Sequence, residues 1–296
     1  MDSSVYVVTS KLSPAPVNYR LRAAFGRSFT LIASEREESI FDTRWVPPSP
    51  LAESTRAFLF VVLDGDVLWD DGTSFSAGTA FAASAEVIEG RLGKRLAHYR
   101  ASGATFRVIE LQVPASALPI GPEARVYSAN ISRESLERAT AFVQASEEEA
   151  AFAAQEVLRS LQRDGTLLHD LTSGQHLDVC WSSPVWHAVE AALRSGKFFH
   201  VTREELAEQG GTSVRTIHRG LRRIAAHIGF TWSGWRTFAH TYRMQFALVH
   251  LSNPRLSIRQ VALCAGYTTS HALTHAFYQA GLPAPGKVRE AILAAA

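Results

Sequence analysis

Leu206-Ala207-Glu208-Gln209-Gly210-Gly211-Thr212-Ser213 and Val261-Ala262-Leu263-Cys264-Ala265-Gly266-Tyr267 share one small-residue grammar. In each, an alanine precedes a glycine by four residues. Beyond the glycine, apolar residues return at helical spacing, Ile217 and Leu221 in the first copy and Leu273 and Phe277 in the second. A helix-turn-helix asks for this pattern. The alanine sits where two helices cross closely, and a larger side chain there collides. The glycine supplies the positive φ of the tight turn. Ser213 is placed to cap the second helix of the first copy, and Thr268 or Thr269 that of the second.

With Ile217 and Leu221 turned inward, Arg215, His218, Arg219 and Arg222 face outward, beside Ser213 and Thr216. The corresponding surface of the second copy carries Thr269, Ser270, His271, Thr274 and His275. Such a helix fits the major groove of double-stranded DNA, where arginine grips guanine bidentately and shorter polar groups touch phosphate. One such hairpin is weak evidence, because many helical bundles contain one. Two copies joined by one helix-length segment are specific.

Charge points the same way. The 296-residue chain carries a net charge of only +2. From Pro184 onward, however, 13 Lys/Arg face 5 Asp/Glu, whereas the first 183 residues hold 17 basic and 23 acidic residues. That asymmetry marks the C-terminal part as the polyanion-binding one. Eight of the eleven histidines also follow Pro184. Of these, His227, His240 and His250 read as ordinary surface or partly buried helix residues.

The front of the chain reads as strands. Phe58–Leu63 is apolar and β-propensive, and Asp64-Gly65 after it is a favoured hairpin turn. Val67–Trp69 resumes, Asp70-Asp71-Gly72 turns again, and Thr79–Ala83 and Phe106–Val113 follow. Short strands with close turns predict a sandwich or small barrel. Its aromatic residues, among them Phe60, Trp69, Phe81 and Tyr99, are candidates for lining an apolar effector pocket, or for plain core. No polar cluster stands out among the strands. Helices are expected near 130–163, with Leu136, Phe142 and Val143 on one face and Ala154, Val157, Leu158 and Leu161 on another. These faces suit either intrachain packing or a homodimer seam. The fold class is therefore α+β. Residues 1–163 are expected as a sensory and dimerising domain, 164–183 as a linker, and 184–296 as an all-helical domain.

Other chemistry is thinly represented. Cys180 and Cys264 lie far apart, outside any CxxC pair. His169, Asp170, His176, Asp178 and Cys180 cluster in sequence at no standard metal spacing, so no metal or cofactor is expected. Phosphate loops, paired catalytic carboxylates and nucleophile elbows are missing, which argues against an enzyme. No apolar run is long enough to span a bilayer, and the N-terminus does not read as a signal peptide, so a cytoplasmic location and no membrane partner are expected.

Several further residues give the C-terminal region a family likeness. They are Glu205-Leu206-Ala207, Gly211-Thr212-Ser213, Arg219, Gly229, Tyr242-Arg243-Met244 with Ala247 and Leu251, Leu256-Ser257-Ile258, Ala265-Gly266-Tyr267, Ala276-Phe277, and Gly281 through Pro285 to Arg289. In this order, Val185 to Arg289 resembles the AraC/XylS family of bacterial transcription regulators. The resemblance implies about seven helices, two recognition helices in successive major grooves, and a central helix near Ser233–Leu251 between them. It also implies an effector-controlled activator working with RNA polymerase, though repression and ligand-independent control through protein contacts fit the residues too. More weakly, the strand region resembles a cupin-like jelly roll without that fold's metal-binding histidines. Two departures stand out. His275 replaces the arginine usual in the second recognition helix, and Gly220 falls inside the first, where glycine costs about 1 kcal/mol relative to alanine.

Overall fold

The computed structural model describes residues 5–11, 19–26, 29–47, 56–88, 97–120, 126–172, 183–195, 200–228 and 234–295. Strands β1 (Tyr6–Lys11), β2 (Tyr19–Phe25), β3 (Thr30–Asp42), β4 (Arg56–Trp69), β5 (Ser74–Ser76) and β6 (Thr79–Ser84) lead into a single helical turn, α1 (Ala85–Ile88). Strands β7 (Tyr99–Pro114) and β8 (Tyr127–Ala129) follow, then helices α2 (Arg133–Gln144) and α3 (Ala150–Arg163). Among the described residues, seven helices make the C-terminal half: α4 (Pro184–Arg194), α5 (Arg203–Gln209), α6 (Val214–Ile228), α7 (Trp235–Leu251), α8 (Ile258–Cys264), α9 (Ser270–Gln279) and α10 (Pro285–Ala294). No helix of the described residues is long and apolar enough to cross a membrane.

The strands form one antiparallel sheet in the order β1-β2-β3-β7-β4-β6-β8, with β5 paired to β4. Asp64-Gly65 is not the hairpin turn that its sequence suggests. Strand β4 runs straight through it, and the register against β7 shifts between Val62 and Asp64 and again between Asp64 and Asp66. Gly65 uses its positive φ of 83° for this irregularity. A Cβ there would lie 2.7 Å from the Ser102 carbonyl oxygen. The sixteen-residue partner β7 outbids the turn, because it offers β4 a ladder along its whole length.

Both faces of the central strands are buried, which explains the unbroken apolar run in β4. Leu59, Val61, Ile109 and Leu111 pack on one side with Phe142, Val157, Leu158 and Leu161 of α2 and α3. Phe58, Phe60, Val62, Phe106 and Val108 occupy the other side. The apolar faces that could have served a dimer seam are thus spent inside the chain. Ser132 caps α2 by accepting from the Ser135 N–H at 3.2 Å. At its far end, buried Arg22 of β2 donates to the carbonyls of Phe142 and Ala145, satisfying acceptors that a helix terminus leaves open. The start of the segment expected as linker is also packed: Leu167 is buried and the Leu168 N–H donates to the Ala117 carbonyl at 2.9 Å.

The two halves share a core. Trp186 of α4 meets Tyr6 and Phe25 edge-on at 5.2 and 5.6 Å. Phe246 of α7 stacks on Tyr19 at 5.3 Å. The Ile40 N–H donates to Ser252 Oγ at 2.8 Å. The β1-β2 side of the sheet is therefore closed by α4 and α7 instead of by solvent.

Candidate nucleic-acid interface and a cavity between the halves

Both repeats fold as helix-turn-helix units with the same internal bonds. Capping boxes start α5 (Thr202 with Glu205) and α8 (Ser257 with Gln260). The Thr212 N–H reaches the Ala207 carbonyl at 2.9 Å, and the Tyr267 N–H reaches the Ala262 carbonyl at 2.8 Å. Gly211 and Gly266 take φ of 56° and 82° in the turns. Ala207 and Ala262 are buried, as the crossing requires.

The second helices begin at matched caps. Ser213 Oγ accepts from the Thr216 N–H at 3.2 Å, and Thr269 Oγ1 from the Ala272 N–H at 3.0 Å. Counting from these caps, Ile217 matches Leu273 and Leu221 matches Phe277, and all four are buried. The outward positions then pair Arg215 with His271, His218 with Thr274, and Arg219 with His275. Ser213, Arg215, His218, Arg219, Arg222, Thr269, His271 and His275 are exposed, while Thr216, Ser270 and Thr274 are half-buried. Thr274 has turned its hydroxyl back to the Ser270 carbonyl at 2.9 Å. Sequence reasoning missed two exposed residues of the same surface, Arg223 and Tyr278. Tyr278 lies at the same distance from its cap as Arg222, so the repeat itself carried the signal.

Gly220 has a packing reason. A Cβ there would meet the Val185 side chain of α4 at 2.7 Å. The glycine lets α4 and α6 approach, which offsets its cost in helix propensity.

Helix α7 links the two units, and its buried His250 has no hydrogen-bond partner among the described residues on either ring nitrogen. Its ring meets Phe246 edge-on at 4.3 Å. Burial pushes this imidazole down to about 4. His240 is half-buried, and burial lowers it too, with Arg243 and Arg236 adding to the effect. The His227 side chain lies outside the described residues.

A cavity of about 220 Å³ lies inside the curled sheet. Phe60, Phe81 and Tyr99 line it, and Trp69 does not. Trp69 instead supports the wall, edge-on to Phe81 at 5.7 Å and tilted against Tyr99 at 5.0 Å. Thr241, Tyr242, Gln245, Phe246 and Val249 of α7 close the cavity from the C-terminal half. It also contains polar groups that sequence reading passed over: Arg36, Glu110 and Gln112. The expectation that the strand region holds no polar cluster is therefore corrected. The alternation Phe106, Val108, Glu110, Gln112 places these side chains on one face. Gln112 Nε2 donates to Glu110 Oε1 at 2.6 Å, and burial pushes the Glu110 carboxyl up, towards its neutral form.

Among the described residues, no group of three His, Cys, Asp or Glu is placed to hold a metal ion. His176, Asp178 and Cys180 of the sequence cluster lie outside them.

No family model matches the chain, and no curated protein does. Solved structures do. The chain is similar to ToxT from Vibrio cholerae O395, with 10% identity, 99% of both chains covered and a TM-score of 0.35. It is also similar to CuxR, an AraC-like transcriptional activator, with 15% identity, 82% of this chain and 86% of that one covered, and a TM-score of 0.32. Superpositions this loose fix no residue of this chain.

Proposed function

We propose that this chain is a sequence-specific DNA-binding transcription regulator of the AraC/XylS type, with α6 and α9 as its recognition helices. The observation that carries the reading is the paired geometry. Two helix-turn-helix units with matching turn bonds and matching caps each expose a row of polar side chains beyond a buried apolar pair. A helical bundle with no nucleic-acid partner has no need to build the same exposed corner twice.

Base reading is assigned first to Arg215, Arg219 and Arg222, and phosphate contact to Ser213, Thr216 and Thr269 at the helix starts. The test is selection of duplexes from a random pool by the full chain at fixed, near-physiological salt, because phosphate contacts alone give affinity that falls steeply with salt. Two enriched motifs, a helical turn apart, support a two-unit reader. Binding without enrichment reduces the surface to a phosphate grip.

Control by a small effector is the second element of the reading. It is favoured by the cavity, which both halves line, so an occupant touches the helix that joins the DNA-reading units. A ligand shifts such a system only through different contacts in its two states. Activation through RNA polymerase and action as a homodimer complete the proposal. The outward face of α2, with Arg133, Glu137 and Thr140, is one surface open to a partner copy. Size measurement of the DNA complex tests it.

A further inference from the structure

Helix α9 differs from α6 in one chemical respect. Four arginines stand on α6: Arg215, Arg219, Arg222 and Arg223. Helix α9 carries no lysine, arginine, aspartate or glutamate. Its side chains able to take a positive charge are His271 and His275. They lie one helical turn apart on one face, and both are exposed. Counted from the caps, they hold the steps that Arg215 and Arg219 hold in the first unit. Of the two helices, then, only α6 offers a polyanion permanent charge.

The surroundings of α9 leave these two imidazoles open to an anion. Among the described residues the ion-paired histidine is His187, with Glu190 on α4, and neither ring on α9 has such a partner. Helices α8 and α10 pack against α9. They bring Arg259, Lys287, Arg289 and one carboxylate, Glu290. Arg289 Nε donates to the Leu251 carbonyl at 2.9 Å. The other titratable groups here are Tyr278 on α9 itself, and Cys264 and Tyr267 beside it. Burial pushes the Cys264 thiol up, and Tyr267 up to about 12. Imidazole is the side chain that changes charge between pH 5 and 8, and a neighbouring phosphate favours its charged form.

We infer that α9 takes hold of the DNA backbone through His271 and His275 as imidazolium ions, so that the second unit closes on DNA with proton uptake from solvent and the affinity of the chain for DNA rises as pH falls. The sign follows from linkage: the complex binds more protons than the free chain, so lower pH favours the complex. At pH 8 the arginines of α6 carry the charged contacts. At pH 6 both units grip. The inference rests on the DNA-facing reading of α9 and adds the proton to it.

The test measures binding of the full-length chain to a fluorescently labelled pool of random-sequence duplexes at pH 8 and pH 6. Thermal unfolding at both values shows whether the chain is folded. A random pool suffices, because a phosphate grip is blind to sequence. Between pH 8 and pH 6, at matched salt, affinity is expected to rise about tenfold or more, and the slope of log affinity against log salt to steepen by roughly two, one for each phosphate neutralised. The double variant His271→Gln, His275→Gln is expected to lose both changes. The double variant His271→Arg, His275→Arg is expected to bind at pH 8 as wild type binds at pH 6, and equally at either pH. A wild-type affinity that stays flat with pH overturns the inference and leaves DNA binding standing. A rise that survives in the glutamine variant overturns it too, since the proton then sits elsewhere, His218 of α6 first. No DNA binding at either pH overturns the DNA-facing reading and the inference with it. Should the glutamine variant not fold, the arginine variant and the wild-type salt slopes decide.

Discussion

The two helix-turn-helix units are near copies in backbone and strangers in surface chemistry. The first exposes Arg215, Arg219 and Arg222, and the second exposes His271, His275 and Tyr278 at the same steps from the cap. Burial constrains the inner residues to small or apolar types in both, so the scaffold repeats. The outward side chains are released from packing and diverge. An arginine brings a permanent charge and a fork that fits guanine. The second unit has none on this face, so the division of labour we expect is base reading by α6 and positioning by α9. Four measurements sharpen or break that contrast.

The largest effect concerns the helix that both units share. His250 is held neutral by burial, down to about 4, while the unfolded chain protonates it near 6.5. The unfolded state therefore binds more protons between those values, and stability falls as pH drops through that window. The loss is about 3 kcal/mol by pH 4, from a shift of roughly 2.5 units. Denaturant titrations at pH 7 and pH 4.5 are expected to show it, and His250→Leu to flatten it. An unchanged slope in that variant would falsify the assignment.

Next comes a reciprocal pair at one structural position. Gly220→Ala gains helix propensity but drives a methyl into Val185, and overpacking of this kind costs about 1–3 kcal/mol. Ala276→Gly, the equivalent step in the second unit, is expected to lose about 1 kcal/mol from propensity alone, plus its small packing contribution. Thermal unfolding that shows Gly220→Ala stabilised would mean that α4 gives way.

Arg219→Ala is expected to weaken binding to the selected duplex by about 1–3 kcal/mol and relax discrimination at one base pair. If affinity falls evenly over all sequences, Arg219 grips phosphate and the contrast between units narrows. His275→Ala is the smallest effect. At pH 8 it is expected to change affinity less than Arg219→Ala and to leave base preference as it was. Loss of discrimination in this variant would make α9 a reader too.

How far the sequence spoke can be traced to the range of each constraint. The helix-turn-helix grammar is local: the alanine, the glycine, the cap and the inward pair lie within about four helical turns. Each obeys geometry that holds before any tertiary contact forms. The units, their caps and their outward residues were legible for that reason. Asp64-Gly65 was misread because positive φ serves a turn and an irregular strand equally well. Only the long partner strand β7 chose between them. Arg22 and Arg36 carry no signal in the sequence that singles them out. One caps a helix about 120 residues away, and the other lines a cavity.

The sequence by itself determined the α+β class, the repeated helix-turn-helix corner, and the basic charge behind it, since periodicity and composition are written residue by residue. Tertiary structure alone decided that the sheet is buried on both faces, that α2 and α3 spend their apolar sides within the chain, and that α7 closes the cavity. Those outcomes depend on which surfaces meet across long stretches of chain. A buried polar group without a partner becomes visible only once the walls around it are in place.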